Sequence, residues 1–125
     1  MVHRELGNVR ANLAGSWMEY LWWGLRLRSR FVVRGDSMLP ALRAGDHVLV
    51  DPRAYRGSPP LAGDVVVARH PFQKDRLLIK RIASVDAKGR AFLEGDNPES
   101  STDSHALGAL SPKLLIGRVT RRILE

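Results

Sequence analysis

Lys80 lies in the run Leu77-Leu78-Ile79-Lys80-Arg81-Ile82, and Ser37 lies in Gly35-Asp36-Ser37-Met38-Leu39-Pro40. A strand through residues 77–82 sets alternate side chains on opposite faces, so Lys80 shares a face with Leu78 and Ile82. If that face points inward the amine is desolvated, which disfavours its charged form and pulls its pKa down. A neutral amine near pH 7 takes the proton of a serine hydroxyl, and the serine oxygen then attacks a carbonyl carbon. Each residue alone has a plainer reading. A lone lysine on a strand usually lifts its amine into water, and a lone loop serine usually has no special role. The chemistry therefore depends on the two being brought together. Gly35, just before the serine, lets backbone run close to an extended substrate.

Two further segments stand out. Ala62-Gly63-Asp64-Val65-Val66-Val67 joins a turn to an apolar strand, and Gly95-Asp96-Asn97 leads through Pro98 to Ser101-Thr102-Asp103-Ser104. Asp, Asn and Ser residues hydrogen-bond their own backbone and hold tight loops. Beyond that role, Ser101 is a candidate to bond the Lys80 amine and aim it. Asp96 and Asp103 are candidate partners for Arg81.

The elements that must position these residues read as follows. The chain has 125 residues, 44% hydrophobic and 26% charged, which suits one folded domain with a real core. Residues 13–30 read as an amphipathic helix, with Leu13, Trp17, Tyr20 and Leu21 at helical spacing and Arg26, Arg28 and Arg30 following. Its tryptophans and arginines suit an anionic membrane interface equally well as a packed or dimeric helix. The apolar stretch Leu13 to Leu25 is shorter than the roughly 20 residues of a spanning helix. The polar first twelve residues lack a secretory signal, so a cytoplasmic protein, soluble or peripheral at the membrane through 13–30, is expected. From residue 31 the pattern becomes short strands: Phe31–Val33, His47–Val50, Val65–Val67, Leu77–Val85, Ala91–Leu93 and Leu114–Ile123, separated by Gly and Pro. The expected fold is mainly β, an antiparallel barrel or sandwich over 31–125 preceded by one N-terminal helical segment, 1–30.

Composition removes several function classes. With no cysteine there is no disulfide framework, cysteine nucleophile or cysteine-ligated zinc. His3, His47, His70 and His105 are scattered, so no metal site and no cofactor is expected. A net charge of +7 is compatible with nucleic acid, an anionic membrane or an acidic partner. A non-catalytic basic barrel that binds nucleic acid needs aromatics interleaved with its basic groove. Outside the helix only Phe31, Tyr55, Phe72 and Phe92 are available, so no nucleic-acid partner is expected.

Taken in order, Ser-Met-x-Pro, Gly-Asp-Val-Val, Lys-Arg and Gly-Asp-Asn-x-x-x-Ser-x-Asp-Ser resemble the type I signal peptidase family, across residues 35 to 104. The resemblance implies Ser37 as nucleophile, Lys80 as general base, Ser101 orienting the lysine, and the Ser37 backbone N–H in the oxyanion hole. It implies Met38 and Pro40 as substrate contacts, a protein substrate, and a β-rich core that lays the substrate along a sheet edge. Gly35 stands where some members place a hydroxyl that donates a second oxyanion bond. His105 stands where an arginine usually pairs with the aspartate equivalent to Asp103. Arg69-His70-Pro71-Phe72 before the lysine strand, and Ile116-Gly117-Arg118-Val119 near the end, resemble a bacterial branch, the nickel-type superoxide dismutase maturation proteases. That branch implies removal of an N-terminal propeptide from a dismutase precursor, whose new terminal amine then holds nickel. A general signal peptidase that cleaves secretory signal peptides at the membrane is the competing expectation.

Overall fold

A computed structural model describes residues 2–5, 27–98 and 104–123, with the backbone alone for 2–5, 104 and 105. Among these residues seven strands form one antiparallel sheet: β1 (Val2–Glu5), β2 (Ser29–Val33), β3 (His47–Asp51), β4 (Val65–Arg69), β5 (Leu77–Val85), β6 (Ala91–Glu94) and β7 (Leu115–Ile123). Their spatial order is β1-β2-β3-β7-β4-β5-β6. β1, at one edge, also comes against β5 near the other edge, so the sheet is curled on itself. The helix α1 (Ser104–Leu107) and a 3-10 turn, Pro112–Leu114, lie between β6 and β7.

The curl makes two apolar clusters. Phe31, Val33, Val48, Val50, Val67 and Ile79 form the first, with Met38 and Leu42 from the turn after β2. Val66, Ala68, Leu78, Ile82 and Leu93 form the second, covered by Leu107 and Leu110. β4 and the middle of β5 are therefore buried on both faces, which is why Val65 to Ala68 is an unbroken apolar run. Gly117 is required where β3 and β7 meet, because a β-carbon there would collide with the Asp51 carbonyl oxygen.

Six strands fall where the sequence places them, and the mainly-β expectation holds. Two points differ. Ser29 and Arg30, read as the end of a helix, lie in β2, because Arg30 pairs with Leu49 and its guanidinium is buried against His47. Tertiary pairing overrides helical spacing there. The remainder of the expected helix, 13–26, lies outside the described residues. β1 was not foreseen, since a polar four-residue strand has no apolar alternation to reveal it. Among the described residues, no helix is long and apolar enough to cross a membrane.

Candidate active site

Lys80 is only 3% exposed. It lies opposite Val66 in the β4–β5 register and between Leu78 and Ile82 on the face of the second cluster. The alternation expected from sequence is the alternation found. Burial among aliphatic side chains is the condition that disfavours a charged amine. Arg81, one residue on, points to the other face. There its Nε and Nη2 donate to the two Asp96 carboxylate oxygens at 2.8 and 2.9 Å, and its Nη1 donates to the Gly63 carbonyl at 2.9 Å. The hydrogen bond to Asp96 raises the Arg81 pKa above its already high ordinary value. One arginine thus clamps the loop after β6 to the turn before β4.

Ser37 is 8% exposed and sits in the turn that follows β2. Gly35 opens that turn in the left-handed region, at φ 79°, a conformation that favours glycine. The Leu39 N–H donates to the Asp36 carbonyl and the Leu42 N–H to the Met38 carbonyl; the Leu39–Pro40 peptide is cis. The turn's position comes from outside it. Met38 and Leu42 are buried in the first cluster, in company with Ile79, the residue before Lys80. The Asn97 N–H donates to the Ser37 carbonyl at 2.8 Å, and Asn97 Nδ2 donates to the Asp36 carbonyl at 3.1 Å.

These bonds join the two chemical segments. β5 and β6 pair Arg81 with Glu94, so the chain leaving β6 through Gly95, Asp96 and Asn97 runs back alongside Lys80. Asp96 holds that loop to the lysine strand, and Asn97 holds it to the serine turn.

The other expected residues divide. Asp96 pairs with Arg81 as anticipated. Met38, expected as a substrate contact, has its side chain in the core and anchors the turn, whereas Pro40 is exposed. Gly35 is exposed beside the serine. Ser101 and Asp103 lie outside the described residues, as does the His105 side chain. Sequence reasoning missed Asn97 as the tie between turn and loop. The available signal was an asparagine just after Gly-Asp, a residue that bonds nearby backbone. It also missed Tyr55, whose hydroxyl donates to Asp64 Oδ2 at 2.7 Å. Burial and that carboxylate push the Tyr55 phenol far above its usual range.

Comparison with known proteins gives concordant results. A family model described as signal peptidase, peptidase S26, matches residues 20–86, more than half of the chain. The mitochondrial ATP-independent inner membrane protease subunit 1a of Arabidopsis thaliana is 30% identical over 113 residues, covering 73% of this chain and 67% of the relative. The mitochondrial inner membrane protease subunit 1 of Xenopus tropicalis is 28% identical, with coverage of 74% and 66%. A Synechocystis protein named "Probable signal peptidase I-1" is 25% identical, with coverage of 72% and 68%. The chain thus spans about two thirds of these relatives' own length.

Proposed function

The chain belongs to the signal peptidase, peptidase S26, family, and from that premise we propose that it is a serine endopeptidase in which Ser37 attacks and Lys80 moves the proton. The observation that carries this reading is the burial of Lys80 among Leu78, Ile82 and Val66, beside a loop bonded to the Ser37 carbonyl. An amine in such surroundings is favoured in its neutral form. It accepts the Ser37 proton as the serine oxygen adds to the scissile carbonyl. The Ser37 N–H stabilises the oxyanion, and the protonated lysine then passes its proton to the leaving amine. Water, deprotonated by the same amine, adds to the acyl-enzyme and releases the serine. Ser101 orients the lysine in this scheme.

The substrate is a protein with an N-terminal extension. Arg69-His70-Pro71-Phe72 and Ile116-Gly117-Arg118-Val119 favour the precursor of a nickel superoxide dismutase, cut to free the amine that binds nickel. The test is incubation of that precursor with the parent chain and with Ser37→Ala and Lys80→Met, followed by N-terminal sequencing of the product. The parent releases the mature terminus and neither variant does; full cleavage by either variant sinks the assignment. A pre-protein with an ordinary signal peptide runs alongside. If only that protein is cut, the general signal-peptidase reading replaces the propeptide one. The kcat/KM profile reaches its plateau well below the pKa of free lysine; a profile still climbing above about pH 10 contradicts a desolvated base.

A further inference from the structure

Pairing between β4 and β7 ends at Val66 opposite Arg118, yet β7 runs on to Ile123. Past that point the sheet has a notch, an open groove of about 360 Å³. Its apolar lining is Ala41, Leu42, Val65 and Val119. Ala41 and Leu42 belong to the turn that carries Ser37. Arg81, next to Lys80, also borders the groove, so it adjoins the proposed catalytic elements without using either residue.

The rim is cationic in a specific way. Arg81 is taken by Asp96 and Gly63, and Arg122 faces Asp46 at 3.7 Å. Arg118 and Arg121 have no ion-pair partner among the described residues, and the Arg121 Nε is shielded from water with no hydrogen bond. The one carboxylate among the described residues of the lining, Asp64, is occupied by the Tyr55 hydroxyl and by the Leu61 N–H at 3.3 Å. Three residues apart on a regular strand, Arg118 and Arg121 would point to opposite faces. A bulge prevents this. Arg121 pairs with Leu49 and Val119 with Val50, so Thr120 is the extra residue and the two arginines come to one face.

We infer that this groove is a docking site for an extended, acidic segment of a protein, its carboxylates meeting Arg118 and Arg121 and its small apolar side chains resting on Leu42, Val65 and Val119. A groove lined by apolar side chains and by two arginines matches a peptide strand, which offers alternate apolar and charged side chains. Among the described residues the lining holds no aromatic on which a base would stack. The identity of the occupant as substrate rests on the peptidase reading; occupancy of the groove does not.

The test therefore uses the full-length Ser37→Ala chain and reads binding rather than cleavage. The probes are a short fluorescent peptide alternating glutamate with valine and its glutamine twin. The glutamate peptide binds about tenfold or more tightly than the twin, a preference that shrinks as salt rises. Arg118→Glu with Arg121→Glu removes the preference, and the double lysine variant keeps most of it. Equal binding of the two peptides to the Ser37→Ala chain overturns the inference, and this comparison decides the matter even if the double glutamate variant fails to fold. Stronger, equally arginine-dependent binding of a single-stranded oligonucleotide or of phosphatidylglycerol vesicles also overturns it. Peptide binding without cleavage of either the precursor or the signal-peptide pre-protein by the parent chain leaves the groove standing and removes the peptidase reading. Cleavage without any peptide preference does the reverse.

Discussion

Two turns in this molecule are held in opposite ways. The turn carrying Ser37 is fixed by the rest of the fold, with Met38 and Leu42 in the core and Asn97 bonded to the Ser37 and Asp36 carbonyls. The tip between β4 and β5 is fixed by itself. The His70 Nδ1 accepts from the Phe72 and Gln73 N–H groups, both at 3.1 Å, Arg76 donates to Gln73 at 3.0 Å, and Asp75 turns the chain at φ 67°. That tip leaves Phe72 76% exposed. The contrast teaches where precision comes from. A side chain that must meet a group on another strand is set by long-range packing, and a side chain that need only project is set by local bonds. The serine turn therefore shares the stability of the core, and the tip does not.

The sharpest way to break this comparison is Lys80→Met. It removes the proposed base, and cleavage falls by about 10³-fold or more. The urea midpoint does not fall, because an apolar side chain of similar length replaces a buried amine. A variant that loses cleavage only by losing its fold would make Lys80 an ordinary structural residue. Next comes Met38→Ala, which opens a cavity beneath the serine turn. It costs about 2–5 kcal/mol in denaturant unfolding, whereas Phe72→Ala at the tip stays within about 0.5 kcal/mol. Similar losses at both positions would erase the distinction between the two turns.

Arg81→Lys keeps the charge but gives up the paired bonds to Asp96. Since the arginine side chain is 39% exposed, the stability cost is small, about 1 kcal/mol. Cleavage slows more than that figure suggests, because the loop that donates to the Ser37 carbonyl is no longer clamped. Asp96→Asn gives the same pattern, and an unchanged kcat/KM in either variant would detach the clamp from the chemistry. The smallest effect belongs to His70. Desolvation, aided by the Arg76 charge, lowers its pKa, so the unfolded chain takes up a proton first as pH falls. The stability contributed by neutral His70 is complete above about pH 6.5 and declines as pH drops from there toward the lower folded pKa. His70→Ala flattens that slope in melting temperature against pH and leaves cleavage of the precursor unchanged.

Much of the sheet was legible because its physics is local. Leu77 to Val85 and Val65 to Val67 carry β-branched and aliphatic residues bounded by Gly, Pro and Asp, and both appear as strands at those positions. The face of Lys80 was legible for the same reason, since period-two alternation assigns it to Leu78 and Ile82 whatever surrounds the strand. The Arg81–Asp96 pair was legible as complementary charges flanking one hairpin. The fate of Met38 was not. A methionine beside a serine motif looks the same in sequence whether it faces a substrate or the core, and only the curl of the sheet over Ile79 decides.

The sequence by itself determined the strand alternation, the separation of an amine and a hydroxyl onto two elements, and the turn chemistry around each. These follow from bonds between near neighbours in the chain. The tertiary structure alone decided that β1 and Ser29–Arg30 join the sheet, that Asn97 ties the serine turn to the lysine hairpin, and that a bulge at Thr120 gathers two arginines on one face. Each of those depends on which distant strand lies alongside, and pairing between segments many residues apart is set by the packing of the whole core.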